Sequence, residues 1–320
     1  MTNMREGVAV QTIEQINETY TAASGREFRA SGRYAVASTS MRDGKNGPFM
    51  TLELRDPTGS MVARCFDQAT IAAVQGVGAI DAQLRISEFN GSMSAILNGC
   101  TQASLTPDEI LWYAGLDTDA HAARVETLHG WLSECDGTIY GDILREIFRE
   151  PGTWEQFTMA AAAVRMHHAE PGGLVRHLVE VGTAGLALLD SLGDPYDRPY
   201  FLAGVFLHDI GKLDTYTAPP TIAYSAQGQV VEHQVYSTFR LGKACAQLQV
   251  PAAIEARLIH MIEQAHGAFR HAEWQDPVGV EVKSLATADF HSARLGATDK
   301  EVRAQDALDE LFAGATQPVG

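Results

Sequence analysis

The 320-residue sequence predicts a protein of two structurally different parts, a small antiparallel β-barrel followed by an all-α region. From Phe28 to about residue 105, apolar and polar residues alternate with period two, and turn signals interrupt the alternation. Beyond residue 106 the pattern becomes helical. Nine of the eleven histidines lie after residue 150. The histidines therefore point to the α part as the place where chemistry occurs.

The first 105 residues divide into an N-terminal segment (1–25), with a short helix predicted at Ile13 to Tyr20, and a β domain (26–105). Stretches such as "FMTLELRD" and "SMVARCFD" are typical of half-buried strands. Short turn sequences, including Asp43-Gly44, Asn46-Gly47 and Asn90-Gly91, separate them. About five short strands in a domain of this size favour a small barrel, with the OB-fold as the leading candidate.

The α part begins with a helix-start signature, Thr106-Pro107-Asp108-Glu109. Residues 106–150 are predicted to form a helical connector, which ends at Pro151-Gly152. Residues 151–312 are predicted to form one helical domain, and residues 313–320 a flexible tail. The predicted helices of this domain are 153–167, 173–191, 198–210, 231–248, 251–265 and 278–295. The stretch "TIAYSAQGQ" is predicted as a loop or a short hairpin.

Composition restricts the class of protein. Four widely spaced cysteines, without CxxC pairs, indicate reduced thiols in a cytoplasmic protein. The first residues lack a cationic start followed by an apolar core, and no window of about 18 apolar residues occurs, so we expect neither a signal peptide nor a membrane partner.

The net charge of −16 is unevenly distributed. Between residues 24 and 105, eight Lys and Arg stand against seven Asp and Glu, a net charge of +1. Between residues 106 and 320, 15 stand against 30, a net charge of −15. Because nucleic-acid binding depends on contacts to phosphate, the β part can accept a polyanion, whereas the α part would need bound cations to do so.

The stretch "FLAGVFLHDIGKLDTY" places His208 and Asp209 at the end of an apolar segment. A charged carboxylate beside buried core has to be paired or coordinated. Imidazole nitrogen and carboxylate oxygen form a mixed ligand set suited to divalent metals. We expect Mn²⁺ first, with Fe, Mg, Zn or Co as alternatives, and one bound metal before two.

These residues resemble a known family. "HDIGK" is similar to the signature of the HD phosphohydrolases. The series "MHHAEPGGLVRH", "LAGVFLHDIGKLDTY", "GQVVEHQ", "HMIEQAHG" and "LATADFHSARL" is similar, in order and spacing, to the YhaM-type 3′-5′ exoribonucleases, which carry an OB-fold in front of an HD domain. The resemblance covers roughly residues 28 to 300. It implies that the helical domain 151–312 is an HD domain.

The resemblance also implies a set of metal ligands. Its principal site consists of His177, His208, Asp209 and Asp289. His233 is implied as a ligand of a second metal, together with His266. The family usually shows two adjacent histidines at the latter position, whereas this chain has Ala265 before His266, and this departure leaves the second metal open.

Further candidates surround this set. Asp209 and Lys212 are the candidates for catalysis. Lys212 follows the doublet by three residues and could stabilise a phosphate or a leaving oxygen. The alternative for Lys212 is a solvated lysine at a helix end. His168 and Arg165 are candidates for substrate binding. Asp214 and Glu232 are candidates for orienting the histidines. In the barrel, Phe49 and Arg64 are the candidates for nucleotide binding, chosen from the aromatic residues Phe28, Tyr34, Phe49, Phe66 and Phe89 and the basic residues Arg33, Arg42, Lys45, Arg55 and Arg64.

The resulting hypothesis is a metal-dependent 3′-5′ exonuclease that hydrolyses single-stranded RNA to nucleoside monophosphates, with DNA as a second substrate left open. One alternative keeps the HD chemistry but acts on a nucleotide or a cyclic oligonucleotide. Another is a nucleic-acid-binding or relaxase-like protein whose HD domain is largely structural. A homo-oligomer is left open.

Overall fold

The computed structural model describes residues 10–45, 47–164, 168–266 and 279–295. The chain begins with helix α1 (Ile13–Ala22), which Thr12 and Gln15 cap reciprocally at its N-terminus. Ile13 and Ile16 are 1% and 0% exposed and belong to the core of the β-barrel that follows. The described part of the predicted N-terminal segment, from residue 10, therefore packs on the barrel.

Five strands form a closed barrel in the order β1-β2-β3-β5-β4. The neighbouring strands are antiparallel except β3 and β5, which pair in parallel. This arrangement is consistent with an OB-fold. A short helix, α2, lies between β3 and β4 and was not predicted. The bounds are β1 (Phe28–Gly44), β2 (Gly47–Asp56), β3 (Gly59–Cys65), α2 (Gln68–Val74), β4 (Ala79–Phe89) and β5 (Ser92–Ala103).

A helical region follows the barrel. It starts as the sequence predicts, because Thr106 and Glu109 form a capping box with Pro107 in the first turn. The helices are α3 (Pro107–Tyr113), α4 (Thr118–Glu134), α5 (Ile139–Ile147), α6 (Thr153–Met159), α7 (Gly173–Leu192), α8 (Arg198–Leu207), α9 (Lys212–Thr215), α10 (His233–Leu248), α11 (Ala252–Ala265) and α12 (Val280–Leu295).

Helix α8 lies at the centre of the helical core. Every residue from Tyr200 to Leu207 is buried, which explains why this helix is apolar on all sides. Helices α4 and α5, from the segment predicted as a connector, contribute side chains such as Leu128 and Ile143 to the same core. The core therefore extends on both sides of the boundary predicted at residue 151.

The predicted helix 153–167 is wrong for residues 160–164, because α6 ends at Met159; residues 165–167 lie outside the described residues. Ala160 is extended, and the chain turns back so that Leu174 donates a hydrogen bond to the Ala160 carbonyl. Gly173 permits this turn, because a Cβ there would lie 2.1 Å from the His168 carbonyl oxygen. A tertiary contact therefore ends a helix that the local sequence favours.

A segment that we call the strap, residues 217–225, joins the helical region to the barrel. Thr221 donates a hydrogen bond to the Val36 carbonyl of β1 (2.5 Å). Pro220 packs against Gly78, where a Cβ would lie 2.7 Å from the proline ring. The segment predicted as a loop or a short hairpin is a loop with one antiparallel bridge, between Tyr216 and Tyr224.

None of the helices in the described part of the chain is long and apolar enough to cross a membrane.

Candidate metal centre

The His208-Asp209 doublet lies where the central helix ends. Helix α8 stops at Leu207, and His208 is its C-cap. Because α8 is buried, its end points into the protein interior, and both His208 and Asp209 are 0% exposed. The apolar run therefore fixes two polar side chains inside the helical core.

The imidazole of His208 has a defined tautomer. Its Nδ1 lies 2.9 Å from the Val205 carbonyl oxygen, which can only accept, so Nδ1 carries the proton. The lone pair is then on Nε2, 3.4 Å from Nε2 of His177. Burial lowers the pKa of His208 to about 4, so the ring is neutral at neutral pH, as a metal ligand must be.

His177, on α7, is oriented by a short relay. Its Nδ1 lies 3.0 Å from the Ser292 hydroxyl, and that hydroxyl donates to Glu180 (2.9 Å). Its Nε2 lies 3.1 Å from Asp209 Oδ2 and 3.1 Å from Asp289 Oδ1. The sequence analysis missed Ser292 and Glu180. A signal existed, since each follows a proposed ligand by three residues on the same helix face.

A second pair of histidines lies on the other side of Asp209. His233 is the first residue of α10, and His266 is the C-cap of α11. Their Nε2 atoms are 3.0 Å apart and lie 3.2 and 3.3 Å from Asp209 Oδ1. Nδ1 of His266 is 2.8 Å from Asp289 Oδ2. Each of the two carboxylates, Asp209 and Asp289, thus contacts His177 and at least one histidine of the second pair.

Within the described residues, two groups could hold a metal ion: His177, His208 and Asp209, and Asp209, His233 and His266. The ligand atoms of each group lie within 4.8 Å of one another. Asp209 Oδ1 is buried and makes no hydrogen bond to any described residue, despite the two nearby histidines. An unsatisfied buried carboxylate oxygen is costly, and a divalent cation would satisfy it, so the residues present fit a metal.

Local charges compensate the two carboxylates. Burial alone would raise the pKa of Asp209, but Lys212, whose Nζ lies 2.6 Å from Oδ2, and neighbouring histidines hold it well below its usual range. Burial alone would lower the pKa of His266, but the nearby Asp209 carboxylate and the hydrogen bond to Asp289 raise it to about 9. The Lys212 ammonium and the His266 imidazolium therefore balance the two negative charges.

Ala265 takes no part in either group. Its side chain is 3% exposed and belongs to the helical core. Asp209, His233 and His266 come together without a second histidine at this position.

The remaining predicted site residues of the helical region occupy other positions. His168 is 7% exposed, and its Nε2 is 3.0 Å from Glu180 Oε2, at the outer end of the relay to His177. Asp214 forms a two-pronged ion pair with Arg240 (2.6 and 3.0 Å) rather than orienting a histidine. Arg165 lies outside the described residues.

The barrel presents an aromatic pair on its outer surface. Phe49 of β2 stacks on Phe66, with ring centroids 5.3 Å apart, and Phe66 is 53% exposed. Arg64 of β3 is exposed and lies opposite Thr51 of β2, which shares a face of that strand with Phe49. Tyr34, considered as a stacking residue, is 0% exposed and fills the barrel interior. Of the basic candidates, Arg33 and Arg55 are paired with Asp81 and Glu53.

The chain is similar to several curated proteins named 3′-5′ exoribonuclease YhaM. The protein of Bacillus velezensis is 27% identical over 260 residues, which cover 78% of this chain and 79% of that protein. The protein of Bacillus subtilis is 25% identical over 291 residues (87% and 90%), and that of Oceanobacillus iheyensis is 24% identical over 323 residues (97% and 95%). No protein-family model matches the chain, and no solved structure matches it significantly. Along most of its length, the chain is therefore similar to the YhaM-type 3′-5′ exoribonucleases.

Proposed function

We propose that this protein is a metal-dependent 3′-5′ exonuclease that hydrolyses single-stranded RNA to nucleoside monophosphates. The observation that carries the proposal is the buried Asp209 carboxylate, which faces histidines on both sides and has one oxygen without a hydrogen bond. The name of the relatives, 3′-5′ exoribonuclease YhaM, supports the direction of hydrolysis and the RNA substrate. We further propose that the helical region from residue 151 is an HD domain.

His177, His208, Asp209 and Asp289 would hold the principal metal, and Asp209, His233 and His266 a second one. When bound, a divalent cation supplies a coordinated water of lowered pKa and neutralises negative charge on the phosphate. The chain itself orients both rings: the Val205 carbonyl accepts from Nδ1 of His208 and the Ser292 hydroxyl contacts Nδ1 of His177, so that Nε2 of each ring faces the centre.

Lys212 has a separate role in the proposal. Its ammonium lies on Asp209 at the edge of the centre and is 8% exposed. When Asp209 holds a cation, Lys212 would be free to contact an oxygen of the scissile phosphate. Bound cations would also offset part of the negative charge of the helical region, which would otherwise repel RNA.

The barrel would hold the RNA upstream of the scissile bond. Single strands bind OB-folds by stacking bases on aromatic side chains beside a basic groove. The stacked pair of half-buried Phe49 and exposed Phe66, with Arg64 on the same face, has this character. In the proposal, Phe49 and Arg64 keep their role as substrate-binding residues.

The test is a nuclease assay on 5′-labelled single-stranded RNA with Mn²⁺. Stepwise shortening from the 3′ end by the wild type is expected, together with loss of at least 100-fold in rate for His208→Ala and Asp209→Asn. His291→Ala, an exposed histidine on the same helix as Asp289, is the matched control and keeps full activity. Turnover of cyclic or mononucleotides without shortening of RNA would instead indicate a small substrate, and binding without turnover a structural role. Single-stranded DNA in parallel reports on the sugar preference.

A further inference from the structure

Tyr224 is an exposed aromatic residue close to the metal centre. It lies on the strap and is 51% exposed. Its ring packs edge-on against Tyr216, with centroids 5.3 Å apart and planes at 74°. The two residues also form the antiparallel bridge that closes the strap. One face of the Tyr224 side chain is therefore supported while much of the ring is open to solvent.

Tyr216 connects this ring to Lys212 and Asp209 of the candidate metal centre. Its backbone N–H donates to the Lys212 carbonyl (3.0 Å), so Tyr216 follows Lys212 by one helical turn. Lys212 in turn contacts Asp209 at 2.6 Å. Burial raises the pKa of the Tyr216 phenol, and the nearby Tyr224 and Asp209 add to this shift. The Tyr216–Tyr224 pair thus lies one turn from Lys212, which contacts the proposed metal ligand Asp209.

Hydrogen bonds fix the strap both to the segment that precedes it and to the barrel. Ser225 donates from its backbone to the Thr215 carbonyl (2.9 Å) and from its hydroxyl to the Asp214 carbonyl (2.7 Å). Across the strap, Thr217 donates to the Ala223 carbonyl (2.9 Å). On the other side Thr221 is bonded to strand β1 of the barrel. A ring fixed in this way loses little conformational freedom when it binds a ligand.

We infer that Tyr224 is the stacking surface for a nucleobase adjacent to the scissile phosphate. This inference rests on the proposed function and adds a positioning residue for the substrate. An aromatic side chain stacks on any base, so the contact would hold RNA without selecting its sequence. The position of the strap between barrel and metal centre suits a strand that runs from one to the other.

The test combines protein variants with RNA that lacks one base. On intact RNA, Tyr224→Ala is expected to lower kcat/KM by about 5- to 140-fold, the range that corresponds to the loss of one base–aromatic stack. Tyr224→Phe keeps the ring and should stay within about twofold of the wild type. Two further RNA substrates carry an abasic ribose, one at the terminal and one at the penultimate 3′ position. On one of these two substrates, the kcat/KM of the wild type should fall to that of Tyr224→Ala.

The experiment distinguishes three cases: base stacking on Tyr224, a purely structural role of Tyr224, and failure of the proposed exonuclease function. If Tyr224→Ala loses the same factor on intact and on abasic RNA, the side chain only supports the strap and the inference is overturned. Equal activity of Tyr224→Ala and wild type on intact RNA also overturns it, while the exonuclease stands. If the wild type fails to shorten RNA at all, the proposed function is what has failed.

Discussion

Ser292 shows how one hydroxyl prepares a metal ligand. It accepts from His177 Nδ1 and donates to Glu180, so it fixes both the tautomer and the orientation of the imidazole. Groups that hold a ligating histidine in this way affect metal affinity without touching the metal.

We therefore expect Ser292→Ala to weaken Mn²⁺ binding about 10- to 100-fold, measured by calorimetric titration of the folded protein. The matched control is Ser284→Ala, a buried serine about two turns earlier on α12. It should retain wild-type affinity, and an equal loss in both variants would show that the effect is general disturbance of the helix.

Glu180 makes the stability depend on pH. Burial opposes its ionisation, but His168, Ser292 and Arg176 outweigh this and lower its pKa to about 2, from an ordinary value of 4.5. A lowered carboxyl pKa contributes stability that is present above the unfolded value and is lost as pH falls through the folded value. The stabilising effect of Glu180 is thus complete above about pH 4.5 and disappears towards pH 2.

In urea unfolding at about pH 6, the wild type should therefore have a larger free energy of unfolding than Glu180→Gln. This difference should narrow as the pH falls below about 4.5. Glu126→Gln, at an exposed position on α4, should unfold like the wild type throughout. A gap for Glu180→Gln that stays constant down to about pH 3 would contradict the assignment.

At the scale of elements, the glycine of "HDIGK" lets two helices meet. Gly211 has an ordinary φ of −66°, so its conformation does not require glycine. The space does, because a Cβ would lie 2.0 Å from the His233 carbonyl oxygen and 2.5 Å from the Ser237 nitrogen, at the start of α10. The close approach brings His233 to Asp209, and Ser237 reinforces it by accepting from the Gly211 N–H (2.9 Å).

Gly211→Ala should consequently cost about 1–3 kcal/mol of unfolding free energy and weaken binding of the second metal, measured by urea unfolding and Mn²⁺ titration. Gly242→Ala in α10 is the control. A Cβ there meets only Glu255 Oε1 at 3.5 Å, so the variant should be neutral or up to about 1 kcal/mol more stable. Equal stability of the two variants would disprove the packing argument.

At the scale of the whole molecule, the barrel and the helical region divide binding from chemistry in the proposed function. The barrel part is close to neutral, whereas the helical part carries most of the net charge of −16. Base stacking rather than long-range attraction should therefore provide much of the affinity for RNA.

In the inactive Asp209→Asn protein, Phe66→Ala should weaken binding of single-stranded RNA about 5- to 140-fold, measured by fluorescence anisotropy. Leu192→Ala removes another exposed apolar side chain, on α7, and should leave affinity unchanged. Unchanged affinity in Phe66→Ala would place the RNA on a different surface.

The sequence alone determined the two-part architecture and singled out His208-Asp209, because these depend on local patterns. The other candidate ligands were implied by the resemblance to the YhaM-type exoribonucleases. Alternation with period two predicted the strands, the Thr106–Glu109 box predicted the start of α3, and an apolar run that ends in His208-Asp209 marked a buried polar pair. These signals lie within a few residues of the features they predict, so no knowledge of the packing was needed.

Only the tertiary structure decided how the pieces meet. It placed Asp209 between two pairs of histidines, recruited Ser292 and Glu180, turned Tyr34 into the barrel and ended α6 at Met159. The physical reason is that the centre is assembled from α7, α10, α11, α12 and the turn after α8. Contacts between residues that are 115 positions apart, such as His177 and Ser292, leave no periodic trace in the sequence.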